Sequence, residues 1–357
     1  VPELRIDPLS GLRAIVAGAR ADRPGGGFAV EPPPPLDPEG DPFLEGHEAR
    51  TPPELWALRP GGGEADGPGW LARAVPNLYP ALRPAMQEPA PGAPSRAGTD
   101  PLAGGRGEPE LFAARPAEGA HEVIVNGPGP ARSLAELDPD QLEVAMGAWR
   151  ERMRAHVGAA YVHVIINEGR EAGASLAHSH AQLYALPFVP AAIARERERF
   201  TAYADRTAGR DLLSDLLQEE VRRDERIVAI DREAVALCPF ASRVPYQVQI
   251  VPRAARPRYE DDGPLGARLL REVLGRLAAA LGAVPALNLW VRTAPRDAEY
   301  FCWRIDLVPK LTHLAGLELG TGVHLNTVAP ERAAAALREV APVLPPAASV
   351  AQGPPTA

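Results

Sequence analysis

The sequence predicts an α+β fold built from two similar halves joined near residue 190. Three observations carry this expectation. The length of 357 residues suits two domains or one duplicated unit. A strand-and-helix order runs once before residue 190 and again after it. The 41 prolines and 33 glycines, about a fifth of the chain, supply long turn-rich loops without reaching the composition of a disordered protein.

In chain order, residues 13–17 are a short apolar run that reads as a strand, stopped by Pro24 and Gly25, so that Arg20 and Arg23 sit just beyond its end. Residues 31–69 are dominated by proline, glycine and charge and read as an extended, loop-rich layer, broken only by residues 54–58, enough for one turn or strand. Residues 83–119 carry little periodic apolar content and read as a flexible surface excursion. The β-branched run 121–125 is a strand, and Asp138-Pro139 opens a helix whose Leu142, Met146, Trp149 and Met153 recur at helical spacing and form core. Residues 161–166 and 180–186 read as strands, and residues 191–217 as helix interrupted near Gly209.

The second half repeats the pattern. A strand lies within residues 227–239, period-two alternation marks 246–251, an amphipathic helix covers 265–281, strands cover 287–291 and 303–308, and a helix covers 331–340. The domain reading is therefore 1–189 as an N-terminal half containing the 83–119 excursion, 190–345 as a C-terminal half, and 346–357 as a disordered tail.

Composition excludes several classes of function. Cys238 and Cys302 are the only cysteines and neither has a close neighbour, which rules out a disulfide framework and a cysteine-rich zinc site. Both read as buried thiols. Acidic residues outnumber basic ones, 46 to 38, with no large basic cluster, so nucleic acid is not an expected partner. Lys310 is the single lysine among those 38 basic residues, a bias of codon usage before it is one of function. The longest weakly polar stretch, 277–291, contains Pro285 and Asn288 and is too short to span a bilayer, and the first twenty residues lack a basic segment followed by an apolar one. The expectation is a soluble, cytoplasmic protein with no membrane partner.

The densest chemical signal is the run from Asn167 to Gln182. On a strand, alternate residues share a face, so His178, His180 and Gln182 project together while Ser179, Ala181 and Leu183 point the other way. Gly173 and Ser175 precede the strand in a small-residue loop whose backbone N–H groups can approach an anion. A neutral imidazole beside a bound phosphate can attack phosphorus and form a covalent phosphoramidate, dividing one displacement into two. A neighbouring glutamine can hold the non-bridging oxygens as charge builds. By spacing alone, H-x-H fits a structural or metal-binding pair equally well. Among the remaining polar and aromatic residues, His156 is expected to be solvated, His163 to be half-buried and satisfied, and Trp290 and Trp303 to be core.

This stretch resembles the active-site signature of the galactose-1-phosphate uridylyltransferase family, a branch of the histidine-triad superfamily. Further resemblances run in order along the chain: residues 4–11 with 20–24, residues 75–82, residues 238–246, residues 304–309 and residues 316–322. The resemblance implies two histidine-triad-like halves, each an antiparallel sheet with packed helices. It implies that His180 is the nucleophile, that Gln182 and Ser175 hold phosphates, that Asn77 and Asn167 contact the nucleotide, and that Arg20 and Arg23 form a basic pair near the phosphates. Glu318 matches the family's sugar-contacting glutamate, which comes from the partner subunit of a homodimer.

The departures fall on metal ligands. Asp41 and Leu44 stand where many members have a Cys-Pro-x-Cys zinc element, and Pro130 stands at the third ligand, leaving His178 alone. No cofactor is expected to be required, and a structural zinc is not expected, though His47 and Asp41 could make an improvised site. Asp41 or a backbone carbonyl would then orient His178. Arg304 and Asp306 fall where the family's second metal site has histidines, so that site also reads as absent. The implied activity is UMP transfer between a UDP-hexose and a hexose 1-phosphate through His180. An ADP-sugar or dinucleoside polyphosphate phosphorylase is the alternative with the same nucleophile, and a non-catalytic nucleotide-sugar binding protein is the alternative of another class.

Overall fold

Alternation of apolar residues along the strands dictates a sheet that buries one face continuously and leaves polar groups on part of the other. In the computed structural model, residues 1–18, 28, 30, 36–84 and 116–343 are described. Arg20, Arg23, most of the 83–119 excursion and the 346–357 tail lie outside the described residues. The strands are β1 (Glu3–Ile6), β2 (Arg13–Val16), β3 (Trp56–Leu58), β4 (Ala72–Pro76), β5 (Ala120–Val125), β6 (Tyr161–Glu168), β7 (His180–Leu186), β8 (Ile227–Ile230), β9 (Ala234–Leu237), β10 (Val248–Pro252), β11 (Leu287–Arg292), β12 (Arg304–Pro309) and β13 (His324–Asn326). The helices are α1 (Pro139–Ala155), α2 (Ala191–Thr207), α3 (Leu212–Arg223), α4 (Ala267–Leu281), α5 (Gly316–Thr321) and α6 (Pro330–Glu339).

Ten strands form one antiparallel sheet in the order β3-β4-β5-β7-β6-β11-β12-β10-β9-β8. Read inward from either edge, the order is the same: three strands in sequence, then the fifth, then the fourth. Each half inserts its long helix, α1 or α4, between its third and fourth strands. The halves meet where β6 pairs with β11, from Leu287 opposite Glu168 to Trp290 opposite Ile165. This is the two-half α+β architecture expected from the repeated element order. A small sheet, β1-β2-β13, stands apart from it.

One face of the large sheet packs under α1, α4 and α6. Ile124, Ala181, Leu183, Val164 and Ile166 meet Met146, Trp149, Leu270, Leu274 and Leu337 in a single core. Among the described residues, two apolar clusters cover the ends of the opposite face. Phe200, Leu213 and Leu217 of α2 and α3 pack on Val235, Leu237 and Val251, while Phe43 and Trp70 pack on Val75, Val123 and Val125. Between these clusters lie the polar residues of β7, β6, β11 and β12.

Local chemistry explains most boundaries. The Asp138 side chain accepts from the Gln141 N–H and caps α1, with proline in the first turn. The single strand expected within 227–239 is a hairpin, β8–β9, because Asp231 Oδ1 accepts from the backbone N–H of both Glu233 and Ala234 and closes a turn. Strands β1, β4 and β13 and helix α5 were not anticipated. They are six residues or shorter, too brief for periodicity to show.

Glu168 ends β6 wholly enclosed, with its carboxylate accepting from Ser133 Oγ at 2.6 Å and from Leu134 N at 2.6 Å. Burial outweighs both bonds and pushes its pKa up to about 7. A carboxyl raised in the folded state contributes stability that is full below its unfolded pKa, near 4.5, and is lost as pH rises through about 7. Glu168→Gln is therefore expected to flatten the fall of melting temperature between pH 5 and 8, measured by calorimetry against the wild type; an unchanged slope refutes the assignment.

Candidate active site

β7 sets the site. Ala181 and Leu183 are buried in the core, so His180, Gln182 and Tyr184 share the opposite face. Across the sheet, His180 is opposite Val125, Gln182 is opposite Val123 and Ile165, and Ile165 is opposite Trp290. Because Ile166 pairs with Ala181, Asn167 falls beside His180 on the same face. Asn288 Nδ2 donates to Asn167 Oδ1 at 2.7 Å and to the Ala172 carbonyl at 2.8 Å, tying the loop before β7 to the other half.

His180 Nδ1 lies 2.7 Å from the carbonyl oxygen of His178. A carbonyl only accepts, so Nδ1 carries the hydrogen and the ring's lone pair is on Nε2. Burial lowers the His180 pKa against the pull of that carbonyl, which favours the neutral ring. Phe43 closes one side, 5.2 Å from the His180 ring and 6.0 Å, edge on, from that of His178.

His178, expected to project from the strand with His180 and Gln182, lies just before the strand instead, with both ring nitrogens already engaged. Its Nδ1 bonds Asp41 Oδ2 at 2.7 Å and its Nε2 bonds the Gly127 carbonyl at 3.0 Å. Burial raises the Asp41 carboxyl, but the hydrogen bond and charge of His178 overcome it and leave the pKa lowered. The two orienting partners anticipated for His178 are thus both used. The residues at the family's zinc positions do not fit the ion: Asp41 and His178 bond one another directly, and Leu44 and Pro130 offer no ligand atom. His47 turns its Nδ1 to the Asp41 backbone carbonyl, 2.6 Å away, instead of joining a cluster.

The small-residue loop is open where it leads into β7. Gly169 adopts φ +83° and a Cβ there would meet Ala286 at 2.6 Å, so only glycine fits. Gly173 is required by its φ of +87° alone, since a Cβ would enter open space. Gly173 and Ser175 are exposed. Asn77, just after β4, reaches the site through His121. Its Nδ2 lies 3.2 Å from His121 Nε2, which lies 3.0 Å from Gln182 Oε1. Nothing in the pattern of residues 121–125 marked His121 as more than a strand residue.

Glu318 makes no hydrogen bond or ion pair with a site residue among the described residues. It sits on α5 beside β13 and accepts from the Ala315 N–H at 3.0 Å.

Three other expectations are corrected. His156 is not solvated: its Nε2 lies 2.6 Å from Glu122 Oε1, in a buried group that also takes two bonds from Arg152, because an enclosed carboxylate draws every donor in reach. His163 is half-buried as expected but only partly satisfied. Its enclosed Nδ1 has no hydrogen-bond partner among the described residues, and burial, with Arg292 nearby, pushes its pKa down to about 4. Trp303 is core, but Trp290 lies on the polar face, donating to Asp306 Oδ2 at 3.0 Å, with the guanidinium groups of Arg243 and Arg292 over its ring at 5.7 and 5.9 Å.

Arg304 and Asp306 join Glu196 in an enclosed ionic cluster. Arg304 grips Glu196 through two bonds of 3.1 Å, its Nε lies 3.1 Å from Asp306 Oδ2, and Gln249 donates to Asp306 Oδ1 at 2.7 Å. Both cysteines are buried, which raises their thiols and leaves them unreactive. Among the described residues, no group of three or more His, Cys, Asp or Glu side chains is placed to hold a metal ion, and no helix is long and apolar enough to cross a membrane.

Residues 1–190 match the family model for the N-terminal domain of galactose-1-phosphate uridyl transferase, and residues 136–342 match a domain of unknown function. An ADP-glucose phosphorylase from Arabidopsis thaliana is 30% identical over 355 residues, 95% of this chain and 93% of the relative. The galactose-1-phosphate uridylyltransferase of Thermotoga maritima is 27% identical over 64% of this chain and 76% of its own length. A crystal structure of an Arabidopsis thaliana ADP-glucose phosphorylase with bound ADP-glucose superposes with a TM-score of 0.75 at 27% identity, covering 96% of this chain and 100% of that one.

Proposed function

The chain belongs to the galactose-1-phosphate uridyl transferase family and is a nucleotidyltransferase, and from that premise we propose that it is an ADP-sugar phosphorylase working through a covalent adenylyl-histidine. The observation that carries the chemistry is the single available lone pair on His180 Nε2, fixed by the Nδ1 bond to the His178 carbonyl. The observation that favours adenylate over uridylate is the similarity along 95% of the chain to an ADP-glucose phosphorylase, where the uridylyltransferase from Thermotoga maritima matches over 64%.

In the proposed reaction, His180 Nε2 attacks the α-phosphorus of an ADP-sugar. The P–N bond forms as the bond to the bridging oxygen breaks, and the sugar 1-phosphate leaves with that electron pair. An oxygen of inorganic phosphate then attacks the adenylyl phosphorus, the P–N bond breaks back to the ring, and ADP departs. Gln182 faces the non-bridging oxygens on the same side of the strand, with Gly173 and Ser175 at the loop mouth, and Asn77 and Asn167 flank the nucleotide. By the family resemblance Glu318 contacts the sugar from a second copy of the chain, so a homodimer is part of this proposal. Uridylyl transfer from a UDP-hexose to a hexose 1-phosphate is the second reading, favoured by the family model that covers residues 1–190.

Incubation with ADP-glucose and, separately, UDP-glucose, each labelled in the α-phosphate, distinguishes them. The expected result is acid-labile, base-stable label on the protein from ADP-glucose, discharged by inorganic phosphate as ADP. Label from UDP-glucose alone replaces this reading with the second; label from neither refutes the covalent step for both donors.

A further inference from the structure

We propose that His121 is a positioning residue for the transfer: it clamps the carboxamide of Gln182 so that the amide NH2, and not the carbonyl, faces the phosphate beside His180. This inference rests on the proposed reading of His180 and Gln182. β5 places His121 opposite Tyr184, and the two rings stack with centroids 4.1 Å apart and planes 22° from parallel. The backbone N–H of Ala81 approaches His121 Nδ1 at 3.1 Å. A backbone N–H only donates and cannot flip, so Nδ1 carries the lone pair and the hydrogen sits on Nε2; Asn77 Nδ2, itself a donor and 3.2 Å from Nε2, then lies beside the ring without a hydrogen bond from it, while its Oδ1 accepts from the Tyr79 N–H. The atom of Gln182 that lies 3.0 Å from Nε2 must then accept, which makes it Oε1. Tyr184 Oη donates to that same oxygen at 3.1 Å.

Two donors on one carbonyl occupy both of its lone-pair directions and fix the amide plane. The nitrogen end of Gln182 makes no hydrogen bond to protein among the described residues. Without the clamp, a glutamine offers either end to a ligand, and its carbonyl would repel a phosphate oxygen. With it, a donor stands ready where charge accumulates, and no reorganisation is needed during transfer. His121 is 8% exposed while its strand neighbours on that face, Val123 and Val125, are apolar core. An imidazole in that place is costly unless both nitrogens are used, and here both are.

His121→Phe keeps a ring on Tyr184 and deletes both hydrogen bonds. His121→Gln restores a donor near the place of Nε2. In single-turnover labelling with α-phosphate-labelled ADP-glucose, His121→Phe is expected to form the adenylyl-enzyme about 10- to 100-fold more slowly. Its kcat should fall by a larger factor than its KM changes, and His121→Gln should recover most of the rate. Tyr184→Phe, which removes one of the two donors from a half-buried position, should show a smaller loss in the same step. Labelling at the wild-type rate in both Phe variants overturns the inference, as does equal impairment of His121→Gln and His121→Phe. A wild-type protein that takes no label from any nucleotide sugar overturns the underlying function instead, so the two failures are told apart.

Discussion

His180→Asn should leave the protein folded and lower transfer by about 10⁴-fold or more, as loss of a covalent nucleophile does. The substitution is chosen for what it keeps. The asparagine NH2 can still donate to the His178 carbonyl, as Nδ1–H does over 2.7 Å, so packing against Phe43 is disturbed little. What disappears is the Nε2 lone pair. Binding of ADP-glucose, read by thermal shift, should persist, while label from its α-phosphate should vanish. A variant that retains a tenth of the wild-type turnover would remove His180 from the reaction and leave a mechanism of direct attack by phosphate.

The second large effect is on stability. Arg304→Met should cost about 3–5 kcal/mol, because it strips the guanidinium from two enclosed carboxylates. Glu196 loses both of its 3.1 Å bonds and Asp306 loses its 3.1 Å ion pair, while Arg292, at 3.5 Å from Glu196, and Arg243 remain as nearby cations. The double variant Arg304→Met/Glu196→Met should recover much of the loss, since apolar groups of similar volume replace a matched pair at little net cost. Acid sensitivity supplies an independent reading. Burial raises the Asp306 carboxyl, but Arg304 and then Arg292 overcome it and hold it below its ordinary 3.8. A depressed carboxyl contributes stability above its unfolded pKa and loses it as pH falls through the folded value. The Arg304 variant should therefore lose less stability than the wild type when pH drops from 5 to 3. Chemical denaturation at both values checks it; a single-variant cost under about 1 kcal/mol would show that the cluster is solvated enough to screen its charges.

These effects separate what a linear reading can reach from what it cannot. The strands 161–166 and 180–186 were legible because their periodicity is long and their faces differ in polarity, and the α1 start was legible because Asp138-Pro139 is a local signal. The partnership of Asp41 with His178 could be named in advance as one choice among two, because a lost ligand set leaves a buried imidazole in need of acceptors. By contrast, His156 and Trp290 were misjudged. Each has its role decided by a residue far along the chain, Glu122 for the first and Asp306, with Arg243 and Arg292, for the second. His121 gave no sign at all, since its partners Ala81, Gln182 and Tyr184 are spread over a hundred residues.

The sequence by itself determined the α+β class, the doubling of the unit, the strand that carries His180 and Gln182 and the absence of cysteine ligands, because composition and period are properties of neighbouring residues. Only the tertiary structure decided which nitrogen of His180 is free, which end of Gln182 faces outward, and that Arg304 sits among carboxylates. Those depend on hydrogen-bond partners supplied by other strands and loops, and in an interior where unpaired polar groups cost most, it is the partner across the sheet that sets what a side chain can do.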